Sequence, residues 1–213
     1  SFPTQRGDSV MLDLGANIEC DAENLVQFAV MGEVFARNEL DIEQPSIGIL
    51  NVGVEGLKGN DSVKKAAAIL QASDLPIKFH GFIEGDDIGK GTVDVIVTDG
   101  FTGNIALKTG EGTASLIGDF LRQAFRYSPL SRLSQLLAAT SLQRLQKRID
   151  PRQVNGGVFL GLNGTVVKSH GSADALGVSS AVKLAVQLTQ SKFSQKIAAR
   201  LASVTPITHD ATT

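Results

Sequence analysis

Four glycine-rich turns carry the residue types that could bind an anion and act on a carbonyl group. Each follows a short apolar run or strand-like segment: DLGAN (13–17), NVGVEGLKGN (51–60), TDGFTGN (98–104) and KSHGSAD (168–174). Glycine lets backbone N–H groups approach a ligand closely, and a helix that begins behind such a turn favours an anion. One such turn alone is more typical of an ordinary loop. Four of them at one sheet edge predict a phosphate or carboxylate site.

Within these turns, a lysine and an asparagine are the candidates for direct action on a substrate. The point charge of Lys58 suits an oxyanion, although most loop lysines are simply solvated. The amide of Asn104 could donate a hydrogen bond to charge that develops on a carbonyl oxygen, or it could cap the helix that follows. Asp99 could orient either residue or cap the same helix. Lys108, one helical turn beyond Asn104, is expected to point to Asp99 or to solvent.

The other reactive side chains indicate neither a thiolate nucleophile nor a nucleotide cofactor. His170, followed by Gly171 and Ser172, could hold phosphate or could simply form a turn. Two acidic residues flank Cys20 and are expected to raise the pKa of its thiol, which disfavours a nucleophilic role. None of the turns has the spacing of a Walker A loop or of a dinucleotide-binding fingerprint, so no nucleotide cofactor is expected.

These turns require a framework in which strands and helices alternate. The apolar runs predict strands at 9–15, 46–53, 77–85, 93–100, 156–162 and 165–169. Helical patterns fill the intervals at 21–40, with Asp21 as its N-cap, and at 60–73, 102–124, 129–148 and from about 173. This alternation predicts an α/β fold with a mainly parallel sheet flanked by helices. We expect a single α/β domain over residues 1–203, with a helical protrusion at about 122–152 and a tail at 204–213.

The composition argues against several classes of protein. The formal net charge of −2 argues against general nucleic-acid binding. The single cysteine cannot form an internal disulfide, which favours a reducing compartment. Three histidines and one cysteine leave little material for a zinc site, and no metal is expected. No apolar run approaches the ~20 residues that span a bilayer.

Residues 122–152 form a basic, leucine-rich helical region in an otherwise slightly acidic chain. Its cations include Arg122, Arg126, Arg132, Arg144, Lys147 and Arg148. Two functional interpretations fit: an interfacial helix on an anionic membrane, or a docking face for an acidic protein. A third interpretation is structural, because a leucine stripe at helical spacing is usually buried, here in a dimer interface.

The motifs MLDLGAN, NVGVEGLKGN, GFIEGDDI, VDVIVTDGFTGNIALKTGEG and GGVFLGLNGTVVKSHGS, in this order, resemble those of the PlsX family of phosphate acyltransferases. The resemblance runs from about residue 10 to about residue 200. It implies transfer of a fatty acyl group from acyl carrier protein to inorganic phosphate, which gives acyl phosphate for bacterial phospholipid synthesis. It also implies a fold like that of isopropylmalate dehydrogenases and phosphotransacetylases, with a protruding helical pair.

The resemblance further implies a homodimer without a metal or organic cofactor. Such a protein would be cytoplasmic and peripheral on the inner face of the cytoplasmic membrane. The family's N-terminal part, roughly its first third, has no counterpart here, so a fragment is one expectation. Two alternatives stay open: a phosphotransacetylase-like enzyme that uses acyl-CoA, and a non-catalytic binding or scaffold module.

Residue by residue, the resemblance assigns catalysis to Lys58 and Asn104. Phosphate or substrate binding is expected of Asn17, Asp99, Thr102, Gly103, His170, Gly171 and Ser172. The family commonly has a second serine after its His-Gly-Ser turn, where this chain has Ala173. One hydroxyl is therefore missing from the expected anion turn.

Overall fold

The computed structural model describes residues 1–148, 157–169, 171 and 173–202, and within the last helical turn before residue 149 only the backbone is described. His170, Ser172 and the predicted tail at 204–213 lie outside the described residues.

The main sheet has five strands, four of them parallel. They are β1 (Phe2–Thr4), β2 (Gly7–Leu12), β3 (Ser46–Leu50), β4 (Lys78–Ile83) and β5 (Val95–Val97), in the spatial order β1-β2-β5-β3-β4. Strands β2, β5, β3 and β4 run parallel, whereas β1 pairs antiparallel with β2 at the edge. The predicted mainly parallel α/β/α architecture is confirmed. The prediction missed β1, which has three residues and contains Pro3, a residue that sheets accept at edges.

Eight helices and a small hairpin complete the described elements. The helices are α1 (Ala22–Glu39), α2 (Asp61–Ala72), α3 (Gly85–Lys90), α4 (Gly100–Arg126), α5 (Pro129–Leu137), α6 (Ala139–Arg148), α7 (Ala175–Gln190) and α8 (Phe193–Ala202). Strands β6 (Gly157–Phe159) and β7 (Val166–Lys168) pair antiparallel. The predicted helix at 129–148 is wrong in one respect, because it divides at Ala138. The short α3 was not predicted.

Helix α1 lies against the sheet and forms the centre of the core. Asp21 caps it as predicted, since its carboxylate accepts a 2.8 Å hydrogen bond from the backbone N–H of Asn24. The predicted apolar face is buried, including Leu25, Phe28 and Phe35. Gly32 brings the helix close to the strands: a Cβ there would lie 2.5 Å from a methyl group of Val95.

A buried charge joins the first helix to the last. Glu33 is 3% exposed, and its carboxylate pairs with Arg37 at 3.3 Å and with Arg200 of α8 at 3.8 Å. A buried carboxylate needs such partners because its desolvation is otherwise costly. Lys196 of α8 adds a hydrogen bond to the side chain of Asn38. The C-terminal helix therefore belongs to the same core as α1.

The chain divides into two compact units. The first is Ser1–Asn104 with Arg152–Thr213 and contains both sheets, and the second is Ile105–Pro151. In the second unit, Leu130, Leu136 and Leu137 of α5 are 73, 73 and 83% exposed. The expectation of one domain with a protrusion at about 122–152 stays a prediction. No helix in the described part of the chain combines the length and the apolar character needed to cross a bilayer.

We predict that Gly32→Ala destabilises the protein by about 1–3 kcal/mol, because the added methyl overpacks a well-filled helix–sheet contact. Chemical denaturation followed by circular dichroism measures the effect. The matched control is Gly89→Ala on α3, where a Cβ would meet nothing within 4 Å. That variant should gain about 0.5–1 kcal/mol from helix propensity. Equal stability of the two variants would contradict the close contact at Gly32.

Candidate active site

The candidate site lies at the edge of the sheet where the parallel strands end. Strands β2, β5 and β3 are neighbours in that order, so their carboxyl ends open onto the same edge. Three of the four predicted turns follow these strands directly, at 13–17, 98–104 and 51–60. Ligands of open α/β sheets bind at such an edge. The turns that carry Lys58 and Asn104 therefore emerge side by side from adjacent strands.

Asp13 organises the first turn from within. Its carboxylate is buried, and it accepts hydrogen bonds from the backbone N–H of Ala16 at 3.0 Å and of Asn17 at 2.6 Å. The side-chain amide of Asn17 donates a third bond, at 2.8 Å. Both nitrogens of Asn17 therefore point to Asp13. The expected binding of a substrate by Asn17 stays a prediction; its amide has one hydrogen left to donate to an anionic ligand.

The start of α4 is held by a cap and by two close backbone contacts. Asp99 accepts hydrogen bonds from the backbone N–H and the hydroxyl of Thr102, at 2.7 and 2.9 Å. Capping is thus the contact that Asp99 makes, among the alternatives left open by the sequence. The N–H of Gly100 donates to the carbonyl of Asn17 at 2.8 Å. At Gly103, a Cβ would overlap the carbonyl oxygen of Asp13.

Asn104 is the fifth residue of α4, too far into the helix to cap it. Its side chain is exposed and lies over Gly15, where a Cβ would be 3.5 Å from the Cβ and Cγ of Asn104. Gly15 has a φ of +107°, a conformation that strains other residues. Among the described residues, no hydrogen-bond partner takes up the amide of Asn104. Its NH₂ group is therefore available to a ligand.

The turn that carries Lys58 is tied together by Asn51. The amide of Asn51 donates to the carbonyls of Gly53 and Lys58, at 3.0 and 3.1 Å. Gly59 has a φ of +90°, and a Cβ there would overlap the Asn51 side chain. Lys58 is exposed, and in the described part of the chain its ammonium group pairs with no acidic side chain. A rigid turn thus presents a free cation.

Several predicted residues are not brought into this arrangement. Lys108 pairs with Glu111 at 2.8 Å rather than pointing to Asp99. Arg122 pairs with Asp119 on α4, which reduces its availability to a partner. The side chains of Lys147 and Arg148 lie outside the described residues, whereas Gly171 is described and is exposed.

The sequence analysis overlooked Asp13. The signal was present, because an aspartate that directly follows a buried apolar run must find hydrogen-bond donors nearby. Its position before Gly15 and Asn17 indicates where those donors come from.

The structure confirms the raised thiol pKa of Cys20 and corrects its cause. Partial burial raises the pKa most, and the charges of Asp13, Asp99 and Asp21 add to the effect. A hydrogen bond from the backbone of Gly100 opposes it. The flanking Glu19, which the sequence implicated, is not among the causes. The charges of Asp13 and Asp99 therefore act on the thiol in addition to that of Asp21, whereas the expected charge of Glu19 does not.

A model of the fatty acid synthesis protein family matches residues 1–196 of this chain. Relatives named phosphate acyltransferase are similar over nearly the same span; that of Rhodospirillum rubrum is 58% identical over 203 residues, which is 95% of the chain and 58% of the relative. The chain belongs to the phosphate acyltransferase family. The resemblance seen in the sequence motifs is thereby confirmed.

Other members of the family agree closely. The phosphate acyltransferase of Roseobacter denitrificans is 59% identical over 202 residues, covering 94% of the chain and 57% of that relative. The one from a Jannaschia species is 60% identical over 198 residues, covering 92% and 54%. The chain therefore spans a little more than half the length of these curated family members.

We predict that Cys20 alkylates slowly at neutral pH, because a raised pKa leaves little thiolate, the reactive form. The rate of iodoacetamide labelling against pH should have a midpoint above that of an ordinary thiol, which lies near about 8.5. The same chain unfolded in urea is the control, since unfolding removes both burial and the ordered carboxylates. A folded-state midpoint at or below the unfolded one would contradict this environment.

Proposed function

We propose that the protein transfers a fatty acyl group from acyl carrier protein to inorganic phosphate and so forms acyl phosphate for phospholipid synthesis. The relatives named phosphate acyltransferase support acyl transfer to phosphate. The observation that carries the proposal for this chain is the pair of available donors, Lys58 and Asn104, beyond the ends of adjacent parallel strands. A cation and an amide suit an anionic nucleophile and a carbonyl that becomes an oxyanion.

In the proposed reaction, a phosphate oxygen attacks the carbonyl carbon of the thioester. A C–O bond forms, and the carbonyl oxygen takes the negative charge of a tetrahedral intermediate. The C–S bond then breaks, and the proton of hydrogen phosphate passes to the departing thiolate. The products are acyl phosphate and the free thiol of the carrier protein. Phosphate is already an anion at neutral pH, so no side chain has to generate the nucleophile.

Each candidate residue has a distinct part in this proposal. Lys58 holds phosphate or offsets charge on the intermediate, and Asn104 donates to the oxyanion. Asp99 and Thr102, which bond to each other, act by holding the start of α4. Gly103 allows the close approach that sets this helix against the first turn. The turn of His170, Gly171 and Ser172 contributes further phosphate contacts, in keeping with the resemblance.

The turn of Lys58 also offers an apolar surface to the acyl chain. Val52, Val54 and Leu57 are 78, 59 and 92% exposed on the rigid loop that presents the lysine. Fully burying one such side chain is worth about 1.5–3 kcal/mol. Contact with a hydrocarbon chain would supply this stabilisation next to the reacting carbonyl.

We predict that Lys58→Ala and Asn104→Ala each lower kcat by about 10²–10³-fold, the usual cost of losing one oxyanion donor. Release of free thiol from acyl–acyl carrier protein in the presence of phosphate measures turnover of the complete natural polypeptide. Both side chains are exposed, so folding should be unaffected. Lys65→Ala, an exposed lysine of α2, is the control and should keep wild-type turnover. Near-full turnover in either test variant would refute its assigned role.

The same assay separates the proposed donor from its alternatives. A preference for acyl–acyl carrier protein over acyl-CoA supports the proposal. Faster turnover of acyl-CoA would favour a phosphotransacetylase-like enzyme. Absence of phosphate-dependent thiol release from either donor would favour a binding or scaffold module.

The basic region at 122–152 is proposed as the surface that meets an anionic partner. In the described part of the chain, Arg126, Arg132 and Arg144 form no ion pair. The same region of the chain carries the exposed leucines of α5, and cations with exposed leucines suit an anionic membrane surface as well as an acidic carrier protein. This supports peripheral association with the inner face of the cytoplasmic membrane.

We predict that replacing Arg126, Arg132 and Arg144 together by alanine weakens binding to phosphatidylglycerol-containing vesicles by about 10²-fold, since each basic side chain near such a surface contributes about 1 kcal/mol. Vesicle co-sedimentation measures the binding, and parallel titration with acyl carrier protein tests the other partner. Binding should also fall steeply as salt rises.

The matched control removes the same charge elsewhere, with Lys64, Lys65 and Lys78 replaced together by alanine. These lysines belong to α2 and β4, and this variant should bind vesicles and carrier protein like the wild type. Salt-insensitive binding, or equal losses in the two triple variants, would remove the basic region from the proposal.

A homodimer is the remaining part of the proposal. Val178, Val182 and Val186 lie at i, i+4 and i+8 along α7 and are 46, 57 and 48% exposed. Such a stripe forms one apolar face of the helix. Pairing with a second copy of the chain would bury it.

A further inference from the structure

Asp13 is the buried ionisable group at the sheet edge that the proposed chemistry does not use. It is 8% exposed and directly follows β2. Its backbone N–H donates to the carbonyl of Thr98 at 2.8 Å, and the N–H of Thr98 donates to the carbonyl of Leu12 at the same distance. The main chain of Asp13 is therefore hydrogen-bonded to the residue that follows β5. Its carboxylate accepts hydrogen bonds from the N–H groups of Ala16 and Asn17.

The 13–17 turn, which the Asp13 carboxylate holds together, makes three contacts with α4. The carbonyl of Asn17 accepts from the N–H of Gly100, the carbonyl of Asp13 packs against Gly103, and Gly15 packs under the side chain of Asn104. The helical residues at positions 100, 103 and 104 lie on one face, because helical neighbours are three and four residues apart. The turn therefore lies along this face and holds residues 100–104 at the start of α4.

We propose that Asp13 is a positioning residue for Asn104: its carboxylate fixes the 13–17 turn, and the turn fixes the direction of the Asn104 amide. This inference rests on the proposed function for its kinetic consequence. A misplacement of a catalytic group by 1 Å can cost about 10²-fold in rate. The carboxylate of Asp13 thus acts on the reaction through packing and hydrogen bonds, without contacting the substrate.

Asp13→Asn tests the role of the carboxylate with little change in volume. A carboxylate only accepts hydrogen bonds, whereas an amide places an NH₂ group in one of its two oxygen positions. That NH₂ group would face the N–H donors of Ala16 or Asn17. At least one hydrogen bond would be lost, and two donor groups that repel each other would be in contact. The turn must move, and its contacts with α4 must follow.

We predict that Asp13→Asn lowers kcat by about 10–100-fold, with the KM values for phosphate and acyl donor changed by less than about threefold. The Asp13→Asn/Asn104→Ala double variant should have a kcat no lower than that of Asn104→Ala alone, because the proposed effect of Asp13 on the oxyanion passes through that amide. Independent effects that multiply in the double variant would overturn the inference.

Asp94→Ala is the structural control. Asp94 accepts two hydrogen bonds, from the backbone N–H and the hydroxyl of Ser46, both at 2.7 Å and both on the same carboxylate oxygen, at the opposite edge of the sheet. The amide oxygen of an asparagine could keep both bonds, so alanine is used to remove them. Its substitution should lower thermal stability and leave kcat unchanged. An equal fall of kcat in both variants would mean that Asp13 merely stabilises the fold, which overturns the positioning role.

A spectroscopic readout separates this inference from the proposed function. The side-chain NH₂ resonances of Asn104 in a ¹H–¹⁵N spectrum should shift in Asp13→Asn and stay in place in Asp94→Ala. Unmoved resonances in Asp13→Asn would overturn the positioning role, whatever the activity. If the wild type shows no phosphate-dependent turnover, the proposed function fails, and these resonances still decide whether Asp13 positions the amide.

Discussion

The close packing of the 13–17 turn against the first turns of α4 is the constraint on which the candidate site depends. The main chain of the turn contacts the main chain of the helix there, and a methyl group added at Gly103 would overlap the carbonyl oxygen of Asp13. Steric contact thus explains why glycine occupies positions 100 and 103, since no other residue lets two backbones approach so closely. Because this contact also places Gly15 under Asn104, the geometry of the amide follows from the packing of the turn.

Several polar side chains of these turns form hydrogen bonds within the turns. Asp13 bonds to Asn17, Asp99 bonds to Thr102, and Asn51 closes the turn of Lys58. Such internal bonds hold loops at a sheet edge in one conformation without a ligand, which is the preorganisation that electrostatic stabilisation of an oxyanion requires. The side-chain donors of Lys58 and Asn104 are not taken up by any partner in the described chain. These are the two residues to which the family resemblance assigns catalysis.

Exposed apolar side chains occur on several surfaces, and three of these enter the proposed function: the turn of Lys58, helix α5 and helix α7. Large contiguous apolar patches on soluble proteins usually mark sites of contact with ligands, membranes or other proteins. The chemistry of the surroundings differs among the three, with a lysine beside the first, arginines beside the second and an uncharged valine stripe on the third. In the proposed function, these surfaces meet an acyl chain, an anionic partner and a second copy of the chain, respectively.

The sequence by itself determined the local structure and the family. The Asp21 cap, the buried face of α1, the apolar strands and the four turns all follow from propensity and periodicity within short windows. Tertiary structure alone decided the strand order β2-β5-β3, the main-chain hydrogen bond of Asp13 to Thr98 and the contact of Gly15 with Asn104. These depend on segments that are far apart in the chain, whose meeting no local pattern encodes. The short edge strand β1 was missed for a related reason, because its three residues form a strand only by pairing with β2.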